Sequence, residues 1–560
     1  MKVQLFLSFL FLYIHSMNGE AQTFNEILGR PTDRSVTINV LFSEPVEVYF
    51  EYGTLRGNYS NFTQKINSKE GEPVEIVLTG LNAGTRYFYR TNFRKTGELQ
   101  FKHGEERTFI TQRVTGSSFT FTLEADPHPY DKKGHHPLWN IAMQNQLKDS
   151  ADFMIDLGDT FGDDHQAFDI TSEEIRQLHL NCRDFFGQVC HSSPLFLCLG
   201  NHEGESGYYL LQSPPDNIAT YATLWRKFYY PNPVPDDFYS GNSTEEEFGM
   251  EVPENYYAWQ WGDALFVVLD AYRYYTGSAK PRGWEWTIGN QQYDWFKETL
   301  EKSNAKYKFV FAHHVLGETR GGIIPARLYE WGGYDQKGNW TFDENRPGWE
   351  KPLHQLMVDN RVTIFFQGHD HLFAREEMDG LIYQTVPMPD DSSYQIGISD
   401  NGDAFNGLIL PGSGHLRVTA SPDMVKVDFV LALLPDDETP ELKNGDVAYS
   451  YTIDKSGNMT SISEIQPWEE KPKMKVFPNP FRDSVTINFS IEKGSNATIE
   501  IYDLNGKRVE IIQVENLTTG ENSFVWDTKK KNGNYARPGT YICKISSEQG
   551  ILIEKMVMVK

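Results

Sequence analysis

Five short polar motifs in the middle of this 560-residue chain each stand directly behind an apolar run, and together they hold the residue types that bind metal ions. Asp126-Pro127-His128 follows the run 119–123, Gly158-Asp159 follows 153–157, and Gly200-Asn201-His202-Glu203 follows 195–199. Further on, His313-His314 follows 309–311 and Gly368-His369-Asp370-His371 follows 364–366. A lone Asp-x-His or His-His pair is usually a surface loop, whereas a set of them, each beyond a buried strand, points to one site. Imidazole, carboxylate and amide oxygen in combination suit borderline or hard metal ions and not a thiolate centre. Glycine before Asp159, Asn201 and His369 fits tight turns that aim the next side chain inward.

The elements that must position these loops read as an α/β domain. Apolar strands at 119–123, 153–157, 195–199, 264–269, 309–311 and 362–366 alternate with helical patterns at 138–146, 172–186, 291–302 and 351–359. Such alternation builds layers of helix and sheet, with the chemistry in loops just past the strand ends. Residues 26–114 read instead as short alternating strands, a β-sandwich, with the domain of the five motifs at 118–435. An Asp-, Glu-, Pro- and Lys-rich stretch is expected to be a linker over 436–473, before a second β-module at 474–560.

Bulk composition narrows the function. The formal charge of −25 disfavours nucleic acid as a partner. The 36 Phe, 29 Tyr and 12 Trp argue for packed cores and against disorder. Lys2, the apolar run 5–14 and the small residues up to Ala21 read as a secretory signal peptide over 1–21. No later run is long and apolar enough for a transmembrane segment, so a secreted or cell-surface location via the periplasm is expected. Of the four cysteines, Cys182 and Cys190 would lie about 12 Å apart on a continuous helix, too far for a disulfide, while a bridge across a helix end stays open.

In this order the five motifs resemble the calcineurin-like metallophosphoesterase superfamily, from Phe119 to about Val430, with Asn255-Tyr-Tyr-Ala-Trp259 and Gln292-x-x-Trp295 as secondary cues. The resemblance implies a four-layer α/β/β/α sandwich and a secreted phosphoesterase that attacks phosphate monoesters with a metal-bridging hydroxide. A phosphodiesterase or nucleotide hydrolase would use the same centre, and a non-catalytic surface binding protein is the remaining alternative. Carried over by position, Asp126, His128 and His371 hold one ion, Asn201, His313 and His369 the second, and Asp159 bridges both. A shared carboxylate offsets the repulsion of two cations about 3.5–4 Å apart. The ions are divalent or trivalent: zinc, manganese or iron. His202 is the candidate acid beside the leaving group, and His314 and Arg320 are candidate substrate contacts. Purple acid phosphatases carry a tyrosine ligand shortly after the bridging Asp and lack a histidine at the position of His128; here Thr160, Phe161 and Gly162 follow Asp159, against an iron–tyrosinate centre. The aromatic insert 208–261 either packs on the core or caps a substrate ring. Residues 78–90, Leu-Thr-Gly-Leu-Asn-Ala-Gly-Thr-Arg-Tyr-Phe-Tyr-Arg, resemble the end of a fibronectin type III domain, in which the Tyr packs a corner of the sandwich. The last module, opening on Lys475-Val-Phe-Pro-Asn-Pro480, resembles the C-terminal sorting domain of Bacteroidetes-type bacteria, which implies the outer-membrane secretion machinery as a partner.

Overall fold

A computed structural model describes residues 24–464 and 474–559, apart from 131–133, 163, 165–166, 276, 278, 316, 318, 397–401, 492–495, 505, 515–516, 519, 530–534 and 548–549. The expected signal peptide therefore lies outside the described residues. The chain divides into two compact units, Met1–Ile465 and Gln466–Lys560.

The first unit begins with a β-sandwich. Strands Phe24–Gly29, Ser35–Phe42 and Val74–Thr79 form one antiparallel sheet, and Val46–Gly53 pairs with Arg86–Lys95 at the centre of the other. Strand alternation sends Val36, Ile38, Val40, Val48, Phe50 and Tyr89 into the shared core. At one corner the Asn82 N–H donates to the Tyr87 hydroxyl at 2.9 Å, the kind of contact expected of a sandwich corner tyrosine. The opposite face of Ser35–Phe42 is buried as well, since Arg183 reaches across from the next domain to Asn39 Oδ1 at 2.8 Å and Asn25 Oδ1 at 2.8 Å.

The domain that follows has the expected four layers. Phe119–Glu124 lies centrally in a seven-stranded sheet, parallel to Phe153–Asp156 and antiparallel to Gly414–Ala420. An eight-stranded sheet faces it, with Ala264–Val268, Tyr307–Phe311, Ile364–Gln367 and Leu381–Thr385 running parallel. Between the sheets the core is aromatic: Phe121 lies 5.5 Å from Phe153, 5.1 Å from Phe266 and 5.5 Å from Phe309, ring centre to ring centre. The alternate residues Leu265, Val267 and Val310 point outward onto Tyr293, Phe296 and Leu300 of helix Asn290–Lys302 and onto Leu353 and Leu356 of helix Leu353–Asp359. Helices His136–Asp149 and Ser172–Phe186 cover the other sheet, joined by Trp139 stacked on Phe185 at 4.0 Å. No helix among the described residues is long and apolar enough to cross a membrane.

The structure corrects the expected linker. Val447–Asp454 and Met459–Glu464 extend the seven-stranded sheet, so this domain reaches well past residue 435. The charged composition there belongs to turns and to an exposed edge, while Tyr449 packs on Phe373 and the Tyr451 hydroxyl donates to Gln384 Oε1 at 3.0 Å. Helix Ser172–Phe186 ends before Cys190, and all four cysteines are buried free thiols. The second unit pairs a three-stranded sheet (Met474–Phe477, Val485–Ile491, Gly520–Trp526) with a four-stranded one centred on Ala497–Asp503 and Gly539–Ser547, around Ile487, Ile499, Trp526 and Ile545.

Because Phe121 is the hub of the inter-sheet core, Phe121→Ala is expected to destabilise the fold by about 3–5 kcal/mol through lost transfer energy and a residual cavity. Urea unfolding followed by tryptophan fluorescence measures it, and a loss under about 1 kcal/mol would contradict the hub role.

Candidate metal centre

All five loops converge beyond the ends of the central strands. Asp126, His128 and His371 bring one ligand atom each to within 4.8 Å of the others, and so do Asp159, His313 and His369. All six are buried. Within the first group Asp126 Oδ1 lies 3.4 Å from His371 Nε2 and 3.9 Å from His128 Nε2, and the two imidazole Nε2 atoms face each other at 3.1 Å. Asp159 Oδ2 reaches both groups, at 3.2 Å from His313 Nε2 and 3.7 Å from His128 Nε2.

The backbone is bent to make this possible. Asp126, His128, Asp159, His369 and His371 have φ of 60°, 42°, 60°, 70° and 55°, the left-handed region that costs a non-glycine residue energy and clusters at functional sites. Neighbouring glycines make room: a Cβ on Gly200 would stand 2.3 Å from Asp159 Oδ1, and one on Gly368 2.7 Å from Asp126 Oδ2. At Gly162, three residues after Asp159, a Cβ would lie 1.5 Å from the His202 carbonyl oxygen, so no side chain fits there.

Hydrogen bonds fix the loops further. Glu203 is a buried carboxylate that accepts the N–H groups of Asp159 at 2.9 Å, Thr160 at 2.6 Å and Gly200 at 2.5 Å, tying two loops together. Burial, with the Asp159 charge nearby, raises its carboxyl to about 7. Asp126 Oδ2 accepts the His369 N–H at 2.7 Å, leaving Oδ1 to face the imidazoles. His313 Nδ1 sits 2.8 Å from the Leu157 carbonyl, which can only accept; the ring proton is therefore on Nδ1, and Nε2 presents its lone pair to the centre.

The donor set fits metal ions. Asp126 Oδ1, Asn201 Oδ1 and His369 Nε2 are buried and take part in no hydrogen bond among the described residues, an arrangement that a cation satisfies. Burial opposes ionisation of Asp159, yet His313, His202 and His128 hold it well below the usual carboxylate range. Burial likewise disfavours charge on His313, but Asp159 and Asp126 outweigh it and raise the imidazole to about 10. The same negative charge attracts a divalent ion, which competes with that proton for Nε2.

Around the centre stand the other expected residues. The His202 N–H donates to Asp159 Oδ1 at 2.8 Å, and its ring Nδ1 lies 2.5 Å from Asp164 Oδ1. Burial alone would lower this imidazole; the Asp159 charge and the Asp164 hydrogen bond raise it instead to about 9. Tyr209 donates to the other Asp164 oxygen at 3.1 Å. Arg320 donates to the His369 carbonyl and is 38% exposed. His314 is fully buried, its Nε2 2.9 Å from the Gly321 carbonyl, so it supports a loop and does not face solvent. The aromatic insert packs: Tyr229, Tyr230, Tyr256, Tyr257, Trp259 and Trp261 are all buried, and none is an open stacking face.

Sequence reasoning passes over Asp164, Glu203 and Asp370 as functional. Glu203 stands inside a motif it singles out, and the Asp163-Asp164 doublet follows Asp159 closely, but neither position says which backbone or ring the carboxylate will meet.

Comparison with known proteins agrees with this geometry. The calcineurin-like phosphoesterase family profile matches residues 119–373, and that of the secretion system C-terminal sorting domain matches 475–560. Among solved structures, PhoD aligns with a TM-score of 0.54 at 15% identity, over 79% of this chain and 92% of that one. The purple acid phosphatase PPD1 from yellow lupin (Lupinus luteus) seeds aligns with a TM-score of 0.51 at 14% identity, over 77% and 74%. At these identities the two show a shared fold. No curated protein matches the chain. With motifs, layers and family profile in agreement, the chain carries a calcineurin-like phosphoesterase domain, that of a metal-dependent phosphoesterase, followed by a secretion system C-terminal sorting domain.

Proposed function

We propose that this protein hydrolyses phosphate monoesters outside the cytoplasm at a two-metal centre. Asp126, His128 and His371 would hold one ion, Asn201, His313 and His369 the other, with Asp159 shared. The observation that carries this reading is the position of Asp159 Oδ2, 3.2 Å from His313 Nε2 and 3.7 Å from His128 Nε2, between the two triads. Bound metal ions supply the charge that polarises a phosphoryl oxygen and ionises a water near neutral pH. Zinc, manganese and iron all suit the donors. The lack of room for any side chain at Gly162 supports a centre without a tyrosinate ligand at that position.

The chain's own residues supply the rest. Asp164 holds the His202 ring through Nδ1, which leaves Nε2 as the atom that meets the departing alkoxide, as acid or as positive charge. Arg320 clamps a phosphate oxygen at the mouth of the site. The sorting domain supports passage through the outer-membrane secretion machinery to the cell surface or medium, with 1–21 as the leader peptide. The fibronectin type III-like sandwich acts as a structural flank, a reading supported by the Tyr87 corner.

A diesterase or nucleotide hydrolase would use the same metals. Rates on nitrophenyl phosphate and bis-nitrophenyl phosphate separate the readings, and a faster diester rate sinks the monoesterase assignment. Asp159→Ala is expected to abolish metal loading and activity together; metal retained in that variant, by elemental analysis, would overturn the shared-ligand role. His202→Ala should keep its metal while kcat falls about 10²–10⁴-fold, and an unchanged kcat would remove His202 from the chemistry.

A further inference from the structure

At the mouth of the centre, the turn Arg320-Gly321-Gly322-Ile323 is pinned from beneath by four buried side chains. Asp370 Oδ2 accepts the Gly321 N–H at 2.9 Å, while Gln367 Nε2 donates to the Gly321 carbonyl at 3.2 Å. His314 Nε2 lies 2.9 Å from that carbonyl, and Glu376 Oε2 accepts the Ile323 N–H at 2.9 Å. Gly321 is left-handed at φ 100°, and a Cβ there would stand 2.4 Å from the Ala404 carbonyl oxygen. A Cβ on Gly322 would stand 2.4 Å from Glu376 Oε2. The path of the turn is thus set by polar groups that have been buried to hold it.

What the turn presents is one guanidinium. Arg320 donates to the His369 carbonyl, lies 3.6 Å from Asp370 Oδ1, and keeps 38% of its side chain exposed. Asp370 sits between His369 and His371 in sequence, yet its carboxylate turns to Gly321 and Arg320. A phosphate monoester dianion has three unesterified oxygens; a diester has two, which share one negative charge, and its third oxygen is esterified and can no longer accept as an anion. A planar cation held at the rim adds a charge-assisted contact that only the monoester completes.

Resting on the phosphoesterase reading above, we propose that Asp370 is a positioning residue: it fixes Arg320 beside His369 as a clamp for the third oxygen of a phosphate dianion, and so sets a preference for monoesters over diesters.

The test compares the wild type with Arg320→Met, Asp370→Asn and the double variant. Metal content, calorimetric binding of inorganic phosphate, and kcat and KM on nitrophenyl phosphate and bis-nitrophenyl phosphate are measured for each. Each single substitution is expected to weaken phosphate binding and raise the monoester KM about tenfold, the worth of one charged hydrogen bond. The loss on the monoester should exceed that on the diester by a similar factor. The double variant should be no worse than Arg320→Met, because both act through one guanidinium. Additive losses, or equal losses on both esters at unchanged metal content, overturn the proposal. Should Asp370→Asn shed metal, Glu376→Gln loosens the other end of the same turn and takes its place in the cycle, under the same criteria. If the wild type hydrolyses neither ester, the enzymatic reading fails by itself; the phosphate titration still decides the clamp, and unchanged affinity in Arg320→Met rejects it.

Discussion

Two carboxylates with no access to water, Asp126 and Asp159, set the terms for the catalytic domain. Removing an ion of that size from water costs several kcal/mol even after the protein relaxes, unless opposite charge or hydrogen-bond donors surround it. Here the surroundings are mostly imidazole, which can offer a lone pair to a metal ion or a proton to a carboxylate. Donors account for one oxygen of Asp126, through the His369 N–H, and for one of Asp159, through the His202 N–H. The remaining oxygens face ring nitrogens. Positive charge, on the rings or on a metal ion among them, balances such a cluster, so the electrostatics of folding and of metal binding are one problem.

The strands solve the geometric half of that problem. Parallel pairing of Phe119–Glu124 with Phe153–Asp156 and of that strand with Leu195–Leu197, and likewise of Ala264–Val268 with Tyr307–Phe311 and of that strand with Ile364–Gln367, delivers each loop at the same end of its sheet. The stacked phenylalanines between the sheets keep those ends in fixed relation. The last step is local: left-handed backbone at Asp126, His128, Asp159, His369 and His371 turns side chains inward that an extended chain would send past the centre. That strain is of order 1–3 kcal/mol per residue; at Asp159 the Glu203 hydrogen bonds hold it, and at His369 the N–H bond to Asp126 Oδ2 does.

Much of this is legible in the sequence. Helix Ser172–Phe186 is marked by its Thr171–Glu174 capping box and a clean apolar stripe, and the central strands by dense apolar runs that two buried faces require. The convergence of the five motifs is legible because each couples a ligand-type residue to a strand end. What is not legible depends on contacts remote in sequence. Val447–Asp454, buried along nearly its whole length, and the exposed edge strand Met459–Glu464 pass for a linker because the acidic turns at 436–446 before them dominate the local composition. Asp164 and Asp163 are equivalent on paper, and only the path of the loop brings Asp164 Oδ1 to His202. The tyrosines of the insert are aromatic enough to suggest a cap; the hydroxyls of Tyr230 and Tyr257 instead meet the carbonyls of His179 and Leu197, which makes them packing residues with a polar end.

The N-terminal sandwich shows how far a module can be drawn into its neighbour. A sheet with one face in its own core normally turns its other face to water, yet strand Ser35–Phe42 carries Thr37 and Asn39 on a buried outer face. Arg183, itself fully buried and in no ion pair among the described residues, spends its donors on Asn25, Asn39 and the Tyr229 carbonyl. Burial lowers its guanidinium to about 10, so the charge is kept at a cost that neutral hydrogen bonds must offset. The Tyr89 hydroxyl adds a donor to the His191 carbonyl at 2.7 Å, and the Leu28 N–H another to the Cys190 carbonyl at 2.8 Å. Helix Ser172–Phe186, which carries Arg183, also sends Cys182 Sγ to the carbonyl of Thr160, one residue after Asp159. The sandwich is therefore two hydrogen-bonded steps from the metal centre, and its seat on that helix is part of what keeps the Asp159 loop in place.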